Sequence, residues 1–326
     1  MDFVKVIMNI SVINSDDLDY IEFSGLQQEA FADVPGQKER LLIQTPDYYR
    51  WKYAAPAGKA KIALARIDGE LVAANAMFPL TISAGPTRIS GWQSCDTATL
   101  PKARGKWLFS KCLHELKAVL GQDEFFFGYP NKNSEPGFRK FRWTTIDQLN
   151  FYVFAGLGRA SAGTIVCLND RLDRFAPHLK GFMTNDMVAI ERSYEFLNWR
   201  YLNHPVYTYQ LFGYIEQEQL LGYIVLRKVR FSHVKFGLIL ECWAHQDVVR
   251  TSLYKFAEKW SSRNGCHATM VLAINNPIKS SLTARFIKVS ERLSPRKFLL
   301  MGDVQPILHL QENREWVAFA GDWDGF

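Results

Sequence analysis

The residues best placed to do chemistry lie in one basic turn within positions 97–111. The turn follows a strand-like run and opens a helix-like run. The first backbone N–H groups of a helix have no partner inside it, and the helix dipole adds partial positive charge there. Arg104, Lys106 and Lys111 would add full charges beside Gly105, where the backbone can approach a ligand closely. The pattern predicts an anion site, and we interpret its ligand as the pyrophosphate of a coenzyme.

Composition limits the function classes. The chain has 326 residues, 48% hydrophobic and 22% charged, which suits one large domain or two of typical size. A net charge of +6 suits a polyanionic ligand or membrane proximity, but no long Lys/Arg run occurs, so no nucleic-acid partner is expected. No apolar run approaches the roughly 20 residues that span a bilayer, and the N-terminus lacks the features of a signal peptide.

The spacing of the cysteines and histidines indicates the cellular compartment and whether a metal is expected. The five cysteines are odd in number and show no C-x-x-C spacing, which indicates buried free thiols in a cytoplasmic protein. The seven histidines are scattered without metal-ligand spacing, so no metal is expected.

Hydrophobic patterning alternates between strand and helix periods. Asp16 and Asp17 precede a helical stretch as candidate caps, and the pair Asp68-Gly69 joins two strands as a hairpin. Residues 87–97 form the strand before the basic turn, and residues 124–129 form a short apolar strand of the kind buried inside a sheet. One hairpin-rich sheet with helices on its faces predicts an α/β or α+β fold.

The second half of the sequence repeats the order of the first. The segment around Trp51 is echoed by that around Trp199, and each copy continues as strand, turn, strand, strand, helix and buried strand. The turn at 275–277 parallels the turn at 129–131. We therefore expect two similar domains, 1–155 and 156–326, with the two tryptophans as core anchors.

The second copy lacks the basic turn. Residues 244–249 contain no glycine, and Arg250 is the only basic residue nearby. The backbone could not come as close to a pyrophosphate there. The first domain is expected to bind coenzyme, and the second to serve as a scaffold or substrate wall.

Three segments of the first half resemble the GNAT superfamily of acyl-CoA-dependent acyltransferases. Residues 102–107, Lys-Ala-Arg-Gly-Lys-Trp, are similar to the Gln/Arg-x-x-Gly-x-Gly/Ala phosphate loop of that superfamily, and residues 127–134 look like its next strand and helix start. Residues 138–143 resemble its Tyr-x-x-x-Gly-Phe ending. With the repeated layout, the whole chain looks like a tandem GNAT protein of the kind found in bacterial surface-polysaccharide gene clusters.

The resemblance implies two GNAT-like domains in tandem, each a mixed, mostly antiparallel twisted sheet flanked by helices. The sequence departs from the family pattern at several positions. Lys102 replaces the Gln or Arg, and Trp107 stands where Gly or Ala normally lets the phosphate approach. Phe138 replaces the tyrosine that protonates the departing thiolate in many members, and Arg142 replaces the glycine near the end of the last motif.

The resemblance also implies which residues meet the coenzyme. The pantetheine arm is expected to pair with the end of the strand, and the pyrophosphate to lie on the loop. The expected cofactor-binding residues are Thr97, Ala98, Thr99, Lys102, Arg104, Gly105, Lys106, Trp107, Leu108 and Asn133.

Acyl transfer to an amine needs a base for the amine and an acid for the thiolate. Asp96, on the strand before the loop, is the candidate base; the alternative is a solvated or capping aspartate. Tyr129 is the candidate acid; the alternative is an aromatic packed with its hydroxyl in water. Cys95 is interpreted as a buried thiol and Glu135 as a surface residue.

The function implied is acyl-CoA-dependent N-acylation, with acetyl-CoA or another acyl-CoA as co-substrate. The acceptor is expected to be a small amine such as an amino sugar, attacking directly in a ternary complex. Two alternatives stay open: a catalytically inactive GNAT-like binding or scaffold protein, and a transferase of the aminoacyl or peptidoglycan type. A homodimer is also left open.

Overall fold

The computed structural model describes residues 7–34, 38–121, 123–155, 164–231, 233–274, 286–290, 298–311, 314–323 and 325. The strands are β1 (Met8–Asn14), β2 (Lys61–Ile67), β3 (Glu70–Ala84), β4 (Thr87–Thr99), β5 (Phe125–Gly128), β6 (Thr144–Phe154), β7 (Thr164–Cys167), β8 (Met187–Ile190), β9 (Gln210–Glu216), β10 (Gln219–Phe231), β11 (Val234–Ala244), β12 (Ala268–Ile274), β13 (Ile287–Lys288), β14 (Phe298–Gly302), β15 (Glu315–Trp316) and β16 (Ala318–Phe319). The helices are α1 (Tyr20–Phe31), α2 (Lys38–Ile43), α3 (Pro46–Tyr53), α4 (Leu108–Leu120), α5 (Glu135–Lys140), α6 (Ala176–Leu179), α7 (Tyr194–Leu197), α8 (Asp247–Arg263) and α9 (Leu308–Gln311).

In the described part of the chain, the strands join into one sheet. Its main path runs β1-β2-β3-β4-β5-β14-β6-β12-β11-β10-β9-β7. Most neighbours are antiparallel, whereas β4 and β5, and β11 and β12, run parallel. The expected α/β class, with a mixed, mostly antiparallel sheet flanked by helices, is confirmed.

Helix α4 packs on the sheet of the first half through one apolar face. Its buried side chains, Leu108, Cys112, Leu113 and Leu116, recur at helical spacing and pack on β1, β2 and β3. Gly121, with φ of 107°, ends the helix in a conformation that side chains disfavour.

The cap of α1 differs from the expected one. Asp16 and Asp17 lie in a separate short 3₁₀ turn. The carboxylate of Asp19 caps α1 instead, because it accepts hydrogen bonds from the N–H groups of Ile21 and Glu22.

Strand β6 connects the two halves of the sheet. Its residues 144–149 pair with β14, and its residues 150–154 pair with β12. The expected domain boundary at 155/156 falls at the end of this strand, where residues 156–163 lie outside the described part of the chain. The turn at 275–277 also lies outside it.

The repeated tryptophans meet each other. Nε1 of Trp51 donates to the carbonyl of Trp199 over 2.8 Å, and Nε1 of Trp199 donates to the carbonyl of Trp51 over 2.8 Å. The two rings stack with centroids 5.5 Å apart. Such reciprocal bonds between equivalent residues are what a pseudo-two-fold relation between the repeated segments predicts.

His204 lies beside this tryptophan pair. Its ring centroid is 4.1 Å from that of Trp51, and its Nδ1 accepts hydrogen bonds from the backbone N–H groups of Val206 and Tyr207. Burial, together with the charge of Arg200, lowers the pKa of His204 to about 3. The folded protein therefore holds this imidazole neutral.

Acidification is expected to destabilise the protein through His204. An unfolded-chain histidine takes up a proton near pH 6.5, whereas folded His204 stays neutral down to about pH 3. Between these values the unfolded state binds more protons, so the free energy of unfolding falls with pH by up to about 1.4 kcal/mol per unit. Urea denaturation between about pH 7 and pH 4 measures the slope. His204→Asn keeps an acceptor but cannot titrate, so it should flatten the slope; an unchanged slope would assign the acid sensitivity to other groups.

Candidate functional site

A cavity of about 570 Å³ lies where β4 and β5 separate. The two strands pair from Gly91 and Phe125 as far as Ser94 and Gly128, and beyond these residues they diverge. The end of β4 pairs with β3 along one edge. Its residues Thr97 to Thr99 also line the cavity. Such a strand edge presents backbone N–H and C=O groups to a ligand.

A bulge at Asp96 shapes this edge. The pairing of β4 with β3 shifts register between Ala74 and Ala76, and Asp96 adopts φ of 47°. A non-glycine residue in this region costs about 1–3 kcal/mol, so surrounding contacts must hold it. Nε2 of Gln27 donates to the Asp96 carbonyl over 2.7 Å.

The Asp96 carboxylate is held from the other side by α3. Nζ of Lys52 lies 2.6 Å from Oδ2, and the hydroxyl of Tyr53 donates to the same oxygen over 2.9 Å. The side chain of Asp96 is 0% exposed and that of Lys52 only 3%. Burial and the charge of Asp96 raise the pKa of Tyr53 well above its usual value, so Tyr53 stays a donor.

These contacts exclude the solvated and the capping interpretation of Asp96. The residue is neither solvated nor a helix cap, because its carboxylate is buried in an ion pair. Its backbone lines the cavity, and its Oδ1 is buried without a hydrogen-bond partner in the described part of the protein. Among the described lining residues Asp96 is the one carboxylate.

The basic turn follows β4 as expected. Residues 101–103 form a short 3₁₀ turn, Gly105 adopts φ of 81°, and α4 begins at Leu108. No described atom lies within 4 Å of where a Gly105 side chain would begin. The backbone at this glycine is therefore open to a ligand.

Trp107, which stands where the resembled loop has Gly or Ala, directs its side chain to solvent. It adopts the left-handed conformation, with φ of 61°, immediately before α4. Its side chain is 63% exposed and lies under Nζ of Lys140, 4.5 Å from the ring centroid. The indole therefore reaches solvent beside α5, where the lysine covers one of its faces.

The basic residues of the turn point in different directions. Nη2 of Arg104 donates to the carbonyl of Ala30 over 3.0 Å, and Arg104 lines the cavity. Lys102 pairs instead with exposed Glu70, and Nζ of Lys111 contacts Met8. Of the three charges predicted together, Arg104 therefore lines the cavity, whereas Lys111 contacts Met8 instead.

The predicted site residues divide into two groups. Those that line the cavity are Asp96, Thr97, Ala98, Thr99, Arg104, Tyr129 and Asn133. Those that lie in the turn or at the start of α4, outside the lining, are Lys102, Gly105, Lys106, Trp107 and Leu108.

The opposite wall comes from the end of β5 and from α5. Tyr129 lies where β5 ends, and Oδ1 of Asn131 accepts hydrogen bonds from the N–H groups of Asn133 and Ser134. Phe138 stacks on Trp143 with centroids 4.3 Å apart. The residue at the family's tyrosine position is therefore an apolar part of the wall.

Sequence reasoning missed Phe298 and Trp323, which complete the wall. Their rings lie 5.1 Å apart. Both residues lie near the C-terminal end of the sequence. They reach the cavity only because their segments pair with strands that are distant in sequence. Their sequence neighbours carry no motif that would have identified them.

A buried ionic network holds the segment before Trp323. Arg192 binds Glu241 over 2.8 Å and Asp322 over 2.5 Å, and all three side chains are at most 1% exposed. The hydroxyls of Tyr201 and Tyr223 also donate to Glu241. Burial alone lowers the pKa of Arg192, but Asp322 and Glu241 raise it well above its usual value.

The second half fills the cleft that corresponds to the cavity. Its parallel strands β11 and β12 pair as far as Ile239 and Val271 and then diverge, like β4 and β5. Beyond that point β16 pairs with β12, and Gly321 packs against the Leu240 carbonyl. The chain's own residues 318–322 therefore occupy the space that stays open in the first half.

The same register makes Glu241 the counterpart of Asp96. Each lies two residues after the last β4–β5 or β11–β12 pair, at Ser94 or Ile239. Each accepts a hydrogen bond of 2.9 Å from a tyrosine two residues after a repeated tryptophan. The tyrosine of the recurring Trp-Lys/Arg-Tyr sequence is thus the shared donor to these buried carboxylates.

Cys95, Cys112 and Cys242 are buried. Burial raises the pKa of Cys112 and Cys242 to about 12, and Cys95 is buried in the cavity wall. Within the described ranges, no three His, Cys, Asp or Glu side chains group as metal ligands. No described helix has both the length and the apolarity needed to cross a membrane.

Several solved structures share this fold. A probable N-acyltransferase from Enterococcus faecalis superposes with a TM-score of 0.66 at 13% identity, covering 91% of this chain and 72% of that one. A GCN5-related N-acetyltransferase from Anabaena variabilis gives 0.65 at 11%, covering 90% and 72%. Saccharomyces cerevisiae N-myristoyltransferase with bound myristoyl-CoA gives 0.58 at 9%, covering 90% and 78%.

No protein-family model matches the sequence, and no curated protein sequence does so. At these identities the structural similarity establishes the fold alone. The chain has the fold of GCN5-related N-acetyltransferases.

Proposed function

We propose that the protein is an acyl-CoA-dependent N-acyltransferase. The observation that carries the proposal is the cleft between diverging β4 and β5, with a strand edge that leads directly into a Gly-containing basic turn. A structural neighbour that holds myristoyl-CoA in its crystal supports the same ligand class. The acyl length is left to experiment, with acetyl-CoA as the first donor to test.

The coenzyme would lie along β4. We place its pyrophosphate at residues 104–108, where helix N–H groups and Arg104 favour an anion. The pantetheine amides would pair with Thr97–Thr99 as an added strand. From Thr99 back to Ser94 is roughly 16 Å at about 3.3 Å per residue. The acyl group would then approach the wall formed by Phe298 and Trp323.

The chemistry follows from this placement. A neutral amine attacks the thioester carbonyl, the C–N bond forms, and the oxyanion is stabilised by backbone N–H donors. The C–S bond then breaks, and the thiolate takes up a proton. Phe138 cannot supply it, so we propose Tyr129 as the acid and Asp96 as the base. Holding both substrates together supplies much of the rate.

The acceptor and the setting are also proposals. A small amine such as an amino sugar fits the expectation from sequence, as does a role in polysaccharide biosynthesis.

We propose a tandem arrangement, 1–155 and 156–326, with the second unit as scaffold and substrate wall. The filled cleft of the second unit and the reciprocal tryptophan bonds support this arrangement. The described cysteines form no disulfide, which supports the cytoplasm as compartment. A homodimer is left to measurement in solution.

Calorimetry with acetyl-CoA and longer acyl-CoAs tests the binding step, and a thiol-release assay with a panel of amines tests the reaction. Binding followed by thiol release with an amino sugar supports the proposal. Coenzyme binding without turnover on any amine would favour an inactive binding protein. Turnover on aminoacyl or peptidoglycan amines alone would favour that transferase type.

Charge reversal at the turn tests the pyrophosphate position. Arg104→Glu should raise the Kd for acetyl-CoA roughly 10- to 100-fold, because a charge-assisted hydrogen bond is worth about 1.5–3 kcal/mol. Arg171→Glu, an equal charge change beyond β7 at the opposite end of the sheet, is the matched control. Equal Kd values for the two variants would place the pyrophosphate elsewhere.

A further inference from the structure

A buried asparagine interrupts an apolar stretch of β3 behind the cavity wall. Residues 71–80 read Leu-Val-Ala-Ala-Asn-Ala-Met-Phe-Pro-Leu, and Asn75 is the one polar side chain among them. It is 0% exposed. Burying an amide costs free energy unless hydrogen bonds replace its contacts with water. The partners of Asn75 therefore show what this position does.

The bulge in β4 supplies both partners. The strand pairing there gives two β4 residues, Asp96 and Thr97, opposite Asn75 alone. Residues three apart in a regular strand point to opposite faces, but the extra residue brings Ser94 and Thr97 to the same face. Oγ of Ser94 donates to Oδ1 of Asn75 over 3.3 Å, and Nδ2 of Asn75 donates to Oγ1 of Thr97 over 3.0 Å. The buried amide thus joins two hydroxyls across the bulge.

These hydrogen bonds have a direction. Because Oγ1 of Thr97 accepts from Asn75, the hydroxyl proton of Thr97 points away from the amide. None of the described residues accepts a hydrogen bond from this hydroxyl. Thr97 is partly exposed and lines the cavity. Its proton is therefore available to a ligand that enters the cavity.

We propose that the Thr97 hydroxyl donates a hydrogen bond to the thioester carbonyl oxygen, and that Asn75 is the positioning residue that directs this hydroxyl. The inference rests on the proposed acyltransferase function, in which the pantetheine runs along residues 97–99 and the thioester follows towards Ser94. When the amine attacks, the carbonyl oxygen gains negative charge. A donor already oriented by a buried partner stabilises that charge without reorganising, beside the backbone N–H groups.

Thr97→Val tests this role, because it keeps a side chain of similar shape and removes the hydroxyl. The kcat for N-acylation should fall roughly 100- to 1,000-fold, as when one oxyanion donor is lost, while the Kd for acetyl-CoA stays within about threefold of the parent. Thr97→Ser keeps the donor and should restore most of the rate. Thr87→Val, the same exchange at the far end of β4, is the matched control and should behave like the parent.

A double variant guards against a folding defect. Thr97→Val alone leaves the Asn75 amide without its acceptor. Asn75→Leu/Thr97→Val also removes the amide, at similar shape, and should lose kcat to the same extent. A folded double variant with the kcat of the parent would overturn the proposal.

Infrared spectroscopy of the bound thioester detects the hydrogen bond without turnover. The probe is acetyl-CoA with an isotope-labelled carbonyl, bound in the absence of an amine. A hydrogen bond lowers the carbonyl stretching frequency, so Thr97→Val should raise it and Thr97→Ser should return it to the parent value. An unchanged frequency in Thr97→Val, or equal losses of kcat in the valine and serine variants, would overturn the proposal. A parent that binds no acyl-CoA would refute the acyltransferase function itself, and this role with it.

Discussion

Replacing Arg192 with methionine is expected to destabilise the protein by about 3–5 kcal/mol. Removing one partner of a buried ion pair leaves an uncompensated charge, which costs that much in other proteins. Here two carboxylates, Glu241 and Asp322, lose their cation, and neither is exposed. Urea denaturation measures the change as a lower midpoint at similar slope.

Lys180→Met is the control for this prediction. Lys180 pairs with Glu191 but is 51% exposed, so its loss should cost at most about 1 kcal/mol. The triple variant Arg192→Met/Glu241→Gln/Asp322→Asn removes all three charges and should recover much of the loss. Equal midpoints for Arg192→Met and the parent would contradict the network's role in holding residues 318–323.

The elements around the cavity were predictable because their signals are local. α4 carries a helical periodicity, β5 is a short apolar run, and a glycine marks the turn between β4 and α4. The structure has them within a few residues of the expected positions. The part of the site built from these elements, from Thr97 to Arg104, follows directly.

The remaining walls depend on contacts between distant segments. β6 pairs with both β14 and β12, and that pairing brings Phe298 to the cavity. Trp323 lies at the cavity because Arg192 binds the carboxylate of the preceding residue, Asp322. Periodicity describes one segment at a time, so it could not identify either residue.

Side-chain direction was the second limit. The position of Asp96 on β4 was predictable, but a bulge changes which way a side chain points. The same holds for Trp107, whose left-handed backbone sends the indole to solvent. The sequence did carry one usable sign, since Lys52 sits between two aromatic residues in a repeated core segment. A buried cation needs a partner, and here that partner is the buried carboxylate of Asp96.

The Lys52–Asp96 pair allows a sharp test of the proposed base. Asp96→Asn alone leaves Lys52 buried without its counter-charge, so lost activity would mix unfolding with chemistry. The double variant Lys52→Met/Asp96→Asn removes both charges at similar volume, an exchange that is often neutral for stability. Tyr53→Phe, which removes the second hydrogen bond to Asp96 and keeps the ion pair, is the matched control.

If Asp96 is the base, the folded double variant should lose roughly 100- to 10,000-fold in kcat for N-acylation. Its affinity for acetyl-CoA should stay within about threefold of the parent, because the strand edge is unchanged. Tyr53→Phe, which keeps the Asp96 carboxylate and its ion pair, should keep kcat close to that of the parent. Full kcat in the double variant would refute the base role and leave Asp96 as the residue that holds the bulge. A parallel loss of kcat and coenzyme affinity would assign it to shaping the strand edge on which the coenzyme lies.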